Sequence, residues 1–550
     1  MIRFLMAQIN TRVADVQGNL ALSIAAVQRG RELGCDVVAL PEMTLLGYPP
    51  KDLLLYKNVI ERNEAALQEF ARCTAGGPAA VIGFAEGHKG HGAGLYNCAA
   101  YCEGGVVRAI YRKWLLPTYD VFDEARYFDE GRETCIVDVK GTPVAITICE
   151  DLWNDELYWS HRRYHEDPIL EAVKAGGRLI VNISASPFAL GKRAVRRSMM
   201  RDAARRHGAP LVHVNLVGGN DDLIFDGMSG AFDSQGDLIG RCDSFVDCFT
   251  VVEIDEKTGK SHAGAIEDES FEEIEELRRG LNLGLRDYAK KCGFRKALIG
   301  LSGGIDSALV AALAAEALGA ENIRGIAMPS RYSSAHSETD AQDLARNLGI
   351  KYETIPIESM FAVAQSEIAP HFNGADGRLA LENMQARLRG ITLMSLSNAS
   401  GELLLTTGNK SEISVGYCTL YGDMCGGLAG IGDLLKTRVY ELSRWLNTRA
   451  GREVIPESTL TKEPSAELAP NQKDSDSLPP YDVLDAIIVA YVEQSLGEEQ
   501  IVALGHDGAV VKKVLRLLNN SEYKRRQAAP TLKVTGRAFG YGWRMPIARG

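Results

Sequence analysis

The chain has 550 residues, of which 45% are hydrophobic and 24% are charged, and its formal net charge is −11. This length predicts more than one domain, and the composition is that of soluble globular proteins. The negative charge argues against a general nucleic-acid-binding protein. No apolar run is long enough for a membrane span, and the N-terminal residues do not form the unbroken apolar core of a signal peptide.

Eleven cysteines are present, an odd number without Cys-x-x-Cys pairs. This usage indicates a reducing compartment and speaks against a zinc site or a disulfide framework. We therefore expect a cytoplasmic protein that binds neither nucleic acid nor membrane.

Short strands alternate with helices in the chain before about residue 265. The predicted strands span 3–9, 36–40, 80–84, 106–112, 144–149, 178–182, 211–215 and 248–254. Helical periodicity lies at 20–33 and 193–207. The first half therefore reads as an α/β domain.

Cys149 lies at the end of the predicted strand 144–149. A cysteine that leaves a buried strand at a sharp turn is well placed as a nucleophile, with a turn N–H near the developing oxyanion. A cysteine at a strand end is also common core filler. Taken alone, the residue leaves both interpretations open.

Two other polar residues follow predicted strands. Glu42 comes after 36–40, and Lys113 comes after 106–112; such side chains are often solvated or ion-paired. Together with Cys149, in this order and with these flanks, they resemble the Glu-Lys-Cys triad of the nitrilase superfamily over about residues 1–260. The resemblance implies an α-β-β-α sandwich that hydrolyses amides or nitriles, with a glutamate base, a lysine that stabilises the oxyanion and a cysteine nucleophile.

The second half begins with an acidic stretch at 267–276 that starts a helix. Strands are predicted at 297–300, 323–328, 351–355 and 402–406, with helices between them. This order is typical of a doubly wound parallel sheet.

A glycine-rich loop joins the strand 297–300 to a helix over 307–318 that Gly319 ends. Its glycines allow close approach of a ligand, and the helix N-terminus attracts phosphate. The loop has no P-loop lysine, but Asp306 is placed where a carboxylate holds Mg2+. It resembles the signature of the ATP pyrophosphatase superfamily, which implies that an acid is adenylated and then attacked by a nitrogen or sulfur nucleophile. The loop residues are Gly300, Leu301, Ser302, Gly303, Gly304, Ile305, Asp306 and Ser307.

Taken jointly, the two halves resemble the glutamine-dependent NAD+ synthetases over nearly the whole chain. The resemblance implies a glutaminase domain at 1–262 and a synthetase domain of adenine nucleotide α-hydrolase-like fold at 268–550. Glutamine would supply ammonia, ATP would adenylate deamido-NAD+, and ammonia would displace AMP to give NAD+. Pyrophosphate and glutamate would be the other products, and Mg2+ would be the cofactor. The protein would assemble as a homo-oligomer through its synthetase domains.

The same resemblance implies roles for further residues. In the glutaminase half, the glutamine-binding residues would be Tyr119, Phe122, Glu150, Ser186 and Lys192. In the synthetase half, Thr407 and Lys436 would bind ATP together with the glycine loop. The residues for deamido-NAD+ would be Asn383, Arg387, Glu412 and Lys524, and the metal ligands would be Asp306 and Glu412.

Two features depart from the family pattern. The connection at 154–167 looks longer than usual, so either Ser184 or Ser186 takes the serine position of the glutamine pocket. Leu420 stands where the shorter, ammonia-using synthetases have a lysine, so a contact to deamido-NAD+ must come from elsewhere.

Two alternatives remain on the sequence. The chain could be an amidase whose second half is only a regulatory nucleotide-binding module. It could also be an amidotransferase that acts on another carboxylic acid. Turnover of ATP to AMP that requires deamido-NAD+ distinguishes both from an NAD+ synthetase.

Overall fold

The computed structural model describes residues 1–155, 158–159, 161–255, 257–261, 264–374, 376–470 and 472–549. Contacts divide the chain into two compact units, Met1–Phe271 and Glu272–Gly550. Within the described residues, no helix combines the length and the apolar character needed to cross a bilayer.

The first unit is built from fourteen strands and four α-helices in its described part. The strands are β1 (Ile2–Gln8), β2 (Val37–Ala39), β3 (Ala79–Gly87), β4 (Leu95–Glu103), β5 (Val106–Arg112), β6 (Cys135–Val139), β7 (Thr142–Ile148), β8 (Leu179–Ser184), β9 (Leu211–Asn215), β10 (Val217–Asn220), β11 (Leu223–Asp226), β12 (Gly230–Phe232), β13 (Leu238–Arg241) and β14 (Cys248–Ile254). The helices are α1 (Val16–Glu32), α2 (Lys57–Cys73), α3 (Pro168–Lys174) and α4 (Lys192–His207).

Two six-stranded sheets face each other in this unit, in the orders β14-β1-β2-β3-β4-β5 and β13-β12-β9-β8-β7-β6. Alternation along the strands sends side chains to opposite faces. Phe4 packs between the sheets with Val181. Leu5 packs on the outer face with residues of α1 and α2, and Ile180 packs with Met199 of α4 on the other outer face. These three apolar layers confirm the predicted α-β-β-α sandwich.

All eight strands predicted for the first half are present, with ends that shift by up to three residues. Strands β4, β6 and β10–β13 were not predicted. Strand β4 is buried along most of its length on both faces, so the alternation of polar and apolar residues that identifies a strand is weak there.

The second unit is richer in helices. Its strands are β15 (Ala297–Gly300), β16 (Ile323–Ala327), β17 (Lys351–Thr354), β18 (Leu403–Thr406) and β19 (Leu428–Ala429). Its helices are α5 (Glu273–Lys291), α6 (Ile305–Leu318), α7 (Ala335–Leu348), α8 (Glu358–Ile368), α9 (Arg378–Ser400), α10 (Lys410–Val415), α11 (Lys436–Ala450), α12 (Glu457–Thr461), α13 (Tyr481–Ile488), α14 (Glu498–Ala503), α15 (Gly508–Asn520) and α16 (Glu522–Arg525).

The five strands form a sheet in the order β17-β16-β15-β18-β19, and every neighbouring pair is parallel. Ala297, Leu298 and Ile299 of the central strand are fully buried, so helices cover both faces of the sheet. The direction of winding reverses between β15 and β18. Ligands bind in such sheets at the carboxyl ends of the strands beside this reversal, and there the glycine loop and the 407–412 segment emerge. The doubly wound parallel sheet is confirmed.

Candidate active sites

Cys149 opens a short 3-10 turn, Cys149–Leu152, directly after β7. Its φ of +42° is in the left-handed region, which non-glycine residues rarely adopt. The Asp151 carboxylate holds the turn, because it accepts hydrogen bonds from the N–H groups of Ile148 at 2.9 Å and of Leu115 at 3.0 Å. A cysteine held at a strained turn after a buried strand fits a positioned nucleophile better than core filler.

Glu42 and Lys113 form a buried ion pair, with 2.8 Å between Lys113 Nζ and Glu42 Oε1. Asn97 Nδ2 donates to the same carboxylate oxygen at 2.7 Å, and the Ala185 N–H donates to Oε2 at 2.8 Å. Both side chains are at most 1% exposed. A buried carboxylate with these donors is fixed in orientation as well as in position.

Glu124 is a second carboxylate on Lys113 that the sequence did not identify. Both of its oxygens lie 2.9 Å from Lys113 Nζ, and Oε1 accepts a hydrogen bond from the Tyr48 hydroxyl at 2.9 Å. Burial raises the pKa of Glu124 to about 7. Glu124 follows a loop without periodicity, so its only signal in the sequence is proximity to Lys113.

The electrostatics of this cluster determine the protonation states of Cys149 and Lys113. Burial, followed by the negative charge of Glu42, raises the pKa of the Cys149 thiol, while Lys113 opposes that rise. Burial disfavours the charge of Lys113, but Glu124 and Glu42 outweigh it and raise the pKa of the ammonium. At neutral pH the thiol is therefore protonated and needs a base, and the lysine is a permanent cation.

The glutamine-binding candidates meet around Glu150. Its buried carboxylate accepts hydrogen bonds from the hydroxyl of Tyr119 at 3.0 and 3.1 Å and from that of Tyr164 at 3.2 Å. The Tyr119 and Phe122 rings are in edge-to-face contact, with centroids 5.4 Å apart. Burial raises the pKa of Glu150. Tyr164 carried no assignment from the sequence.

The two candidate serines make different contacts. The Ser184 side chain, at the end of β8, is fully buried, and its hydroxyl has no hydrogen-bond partner among the described residues. Ser186 is held through its backbone, because its N–H donates to Asn215 Oδ1 at 2.8 Å and its carbonyl accepts from Asn215 Nδ2 at 3.2 Å.

Lys192 begins α4. Its ammonium donates to the Pro187 carbonyl at 3.1 Å and lies 5.2 Å from the centroid of the Trp153 ring. It also interacts electrostatically with Glu150, so the structure brings it to the same pocket. The 154–167 connection reaches this pocket too, through Tyr164. Residues of that connection outside the described part are Glu156, Leu157 and Ser160.

In the second unit, the glycine loop requires glycine at residue 303. Its φ is +75°, and a Cβ there would lie 2.3 Å from the Ser337 carbonyl oxygen. Helix α6 spans Ile305–Leu318 and so begins two residues earlier than predicted, while Gly319 caps its end as predicted.

The glycine loop lines a cavity of about 270 Å3 at the carboxyl ends of the strands. Other ATP candidates on its wall are Thr407 and Lys436, and Glu412 lies there as well. The lining residues contributed by the loop are Gly300, Leu301, Ser302, Gly304, Ile305, Asp306 and Ser307.

Four side chains form a charged network in the cavity wall. Lys436 Nζ lies 2.5 Å from Asp306 Oδ2 and 3.2 Å from Glu412 Oε1. Asn409, which the sequence did not single out, donates from Nδ2 to Asp306 Oδ1 at 2.8 Å. Its Oδ1 accepts from the Glu412 N–H at 3.0 Å and caps α10.

The donor chemistry of this network fits a divalent cation. Two carboxylates project into the cavity from separate elements, and carboxylate oxygens are preferred Mg2+ ligands. Burial raises the pKa of Glu412 to about 8. Burial disfavours the charge of Lys436, but Asp306 and Glu412 outweigh it and raise its pKa. Among the described residues, no cluster of three or more His, Cys, Asp or Glu forms a complete protein cage, so phosphate and water would supply the remaining ligands.

Two of the dinucleotide candidates lie on α9 beside the 416–423 segment. Asn383 Oδ1 accepts from the Thr419 hydroxyl at 2.7 Å, and Arg387 Nε donates to the Leu420 carbonyl at 3.2 Å. Leu420 thus contributes a backbone oxygen where a lysine was expected from the shorter enzymes.

Lys524 contacts the same segment from α16. Its ammonium donates to the carbonyls of Gly416 at 2.8 Å and Cys418 at 2.7 Å. Of the four dinucleotide candidates, only Glu412 lines the cavity described above. The other three surround one segment, which makes that segment the second part of the candidate site.

Fold and sites together define an amidohydrolase unit joined to a ligase unit with a phosphate-binding loop. The carbon-nitrogen hydrolase family matches residues 6–262, and the NAD synthase family matches residues 277–528. The glutamine-dependent NAD(+) synthetase of Synechocystis sp. is 48% identical, over 100% of this chain and 99% of that protein. The Thermotoga maritima enzyme of the same name is 41% identical, over 99% and 98%.

A solved structure agrees with these matches. The glutamine-dependent NAD+ synthetase from Acinetobacter baumannii, in complex with adenosine diphosphate, is 36% identical with a TM-score of 0.79 and covers 99% of this chain and 98% of its own. The chain belongs to the family of glutamine-dependent NAD+ synthetases. It is therefore a ligase that makes NAD+ with glutamine as nitrogen donor, which decides against both alternatives left by the sequence.

Proposed function

We propose that Glu42, Lys113 and Cys149 are the glutaminase catalytic residues. Glu42 takes the thiol proton as Sγ attacks the carboxamide carbon of glutamine, and Lys113 stabilises the oxyanion. Collapse of the tetrahedral adduct breaks the C–N bond, ammonia leaves with the proton from Glu42, and a thioester remains. Glu42 then deprotonates a water that attacks the thioester, and glutamate and the thiol are released. The buried Lys113–Glu42 pair beside Cys149 is the observation that supports this most directly.

Tyr119, Phe122 and Glu150, with Lys192 and a serine at 184 or 186, are proposed to bind the glutamine. The hydrogen bonds of Tyr119 to Glu150 and the electrostatic reach of Lys192 support one pocket with groups of both charges. A zwitterionic amino acid requires such a pair of charges.

For the second unit, we infer that the glycine loop, Thr407 and Lys436 bind ATP. An oxygen of the nicotinate carboxylate of deamido-NAD+ attacks the α-phosphorus, pyrophosphate leaves, and ammonia then displaces AMP from the acyl adenylate. Lys436 would neutralise charge on the leaving phosphates, since its raised pKa keeps it cationic. Asp306 and Glu412 would hold Mg2+, which supplies further charge neutralisation when bound.

Deamido-NAD+ is proposed to bind at Asn383, Arg387, Glu412 and Lys524. Their grouping around the 416–423 segment and the cavity wall supports this assignment. The released nitrogen must arrive as neutral ammonia, because ammonium has no free electron pair.

We propose the domain boundaries 1–262 and 268–550, and cytoplasmic localisation stays a prediction from the cysteine usage.

A homo-oligomer built through the synthetase units is also proposed, with a second copy of this chain as the partner. Large apolar side chains on α8 and α9 support it, because Val363, Leu379 and Ile391 are each more than 60% exposed. Sedimentation velocity tests this, and a monomer at micromolar concentration would contradict it.

The whole assignment is tested by incubating the purified protein with glutamine, MgATP and deamido-NAD+. We expect NAD+, AMP, pyrophosphate and glutamate to form together. When NAD+ replaces deamido-NAD+, no AMP should form, because NAD+ carries a carboxamide in place of the carboxylate that attacks ATP. Formation of ADP instead of AMP would contradict the adenylation step.

A further inference from the structure

The connection at 154–167 has no role in the mechanism above, yet its described part reaches the glutamine pocket. The guanidinium carbon of Arg163 lies 3.9 Å from the centroid of the Tyr119 ring. The hydroxyl of the next residue, Tyr164, donates to Glu150 Oε1 at 3.2 Å. Consecutive residues of one connection thus contact both aromatic and acidic members of the pocket.

Tyr164 extends toward the catalytic residues. Its hydroxyl interacts electrostatically with Lys113 and Glu124 as well as with Glu150. Glu150 directly follows the nucleophile in the chain and is 3% exposed. The hydroxyl of Tyr164 therefore lies at the carboxylate of the residue that follows the nucleophile.

Arg163 is a second cation at this pocket, which Lys192 also reaches. It forms no ion pair with a described carboxylate, and its guanidinium covers the face of Tyr119. A guanidinium stacked on an aromatic ring keeps its N–H groups at the edge of the stack, where they can bind a carboxylate in a bidentate way.

The substrate chemistry completes the argument. Glutamine carries an ammonium and a carboxylate on its α-carbon, at the end remote from the amide. Glu150, held by the hydroxyls of Tyr119 and Tyr164, is the anion available for the ammonium. Arg163 lies over the Tyr119 ring and forms no ion pair with a described acid, so its guanidinium is available for the carboxylate.

We propose that Arg163 joins Lys192 in binding the α-carboxylate of glutamine and that Tyr164 orients Glu150 toward the α-ammonium, so that the connection selects an amino acid over a simple amide. This inference rests on the proposed glutaminase role of Cys149. It assigns Arg163 as a specificity-determining residue and Tyr164 as a positioning residue.

The test compares three amides in the full-length protein: glutamine, glutaramate, which lacks the α-ammonium, and 4-aminobutanamide, which lacks the α-carboxylate. Arg163→Met should raise KM for glutamine and glutaramate about tenfold or more and leave kcat/KM for 4-aminobutanamide unchanged. Tyr164→Phe should lower kcat/KM for glutamine and 4-aminobutanamide and leave that for glutaramate unchanged.

Arg162→Met is the matched control, because Arg162 is the preceding residue and donates to the His165 carbonyl. Arg162→Met should leave kcat/KM unchanged for all three amides. Arg163→Lys should recover part of the activity with glutamine that Arg163→Met loses. NAD+ synthesis from added ammonium should not change in any variant.

Two results would overturn the inference. If Arg163→Met lowers kcat/KM equally for all three amides, or for none of them, Arg163 does not bind the carboxylate. If Tyr164→Phe affects glutaramate as strongly as glutamine, Tyr164 does not act through the ammonium. Absence of amide hydrolysis in the unsubstituted protein would instead contradict the proposed function of Cys149, so the two failures are distinguishable.

Discussion

Asn409 and Asp306 are joined by a hydrogen bond of 2.8 Å, although 103 positions separate them in the chain. The same Asn409 side chain caps α10 by accepting from the Glu412 N–H. One side-chain amide therefore contacts both residues proposed to bind the metal, the carboxylate of Asp306 and the backbone of Glu412. Lys436 contacts the oxygen of each carboxylate that faces away from Asn409.

Asn409→Ser should weaken metal use more than it weakens the fold. Serine retains a helix-capping oxygen, so the free energy of unfolding should fall by at most about 1 kcal/mol. The donor to Asp306 is lost, and the Mg2+ concentration for half-maximal pyrophosphate release should rise several-fold. Mn2+ binding followed by electron paramagnetic resonance should weaken in parallel. A loss of stability with unchanged metal dependence would mean that Asn409 acts only as a helix cap and does not position the metal ligands.

Cys149→Ala should abolish the use of glutamine and retain NAD+ synthesis from added ammonium. Without the nucleophile, glutamate formation should fall by a factor on the order of 10^4 or more. Measuring NAD+ with each nitrogen source checks this. Cys292→Ala, which removes an exposed thiol in the other unit, should leave both activities intact. Equal loss with glutamine and ammonium in Cys149→Ala would contradict separate sites.

Glu124→Gln should change how stability depends on pH. Burial raises the pKa of Glu124 from 4.5 to about 7, so the folded state keeps its proton at pH values where the unfolded state has lost it. The contribution of Glu124 to stability is therefore largest below pH 4.5 and declines as pH rises to about 7. The glutamine side chain at residue 124 of the variant does not titrate. The difference in unfolding free energy between the unsubstituted protein and Glu124→Gln should therefore decline by roughly 1 kcal/mol per pH unit in that range.

Urea unfolding of the first unit across pH 4.5–8 measures this difference. Above about pH 7, Glu124 is ionised in both the folded and the unfolded protein, and the difference in unfolding free energy should level off. A difference that does not vary with pH would mean that Glu124 is already ionised in the folded protein at acidic pH.

The sequence could predict the residues that lie in local patterns. Glu42, Lys113 and Cys149 each follow a strand, and the glycine loop stands between a strand and a helix, so fixed neighbours identify them. Asn409 contacts Asp306 across 103 positions of the chain, and Glu124 follows Lys113 by 11 positions in a loop, so no periodicity predicts either contact.

Missed elements have a similar explanation. Strand β4 pairs with β3 over eight residue pairs, but its short alanine- and cysteine-containing run is buried on both faces and shows little alternation. Its position is decided by pairing with its neighbours, which a single sequence does not display.

Asp306→Ala should abolish adenylation and leave basal glutaminase activity. Asp306 Oδ2 is the nearest partner of Lys436 and Oδ1 is the partner of Asn409, so alanine removes a proposed metal ligand and releases both neighbours. We expect AMP formation to fall by about 10^2-fold or more, as for loss of one charge-stabilising group at a reacting phosphate. Asp343→Ala, which removes a carboxylate paired with Arg346 on the surface of α7, is the control and should form AMP at the native rate. Native AMP formation by Asp306→Ala would contradict the metal role, because the remaining carboxylate, Glu412, would then suffice to organise the phosphates by itself.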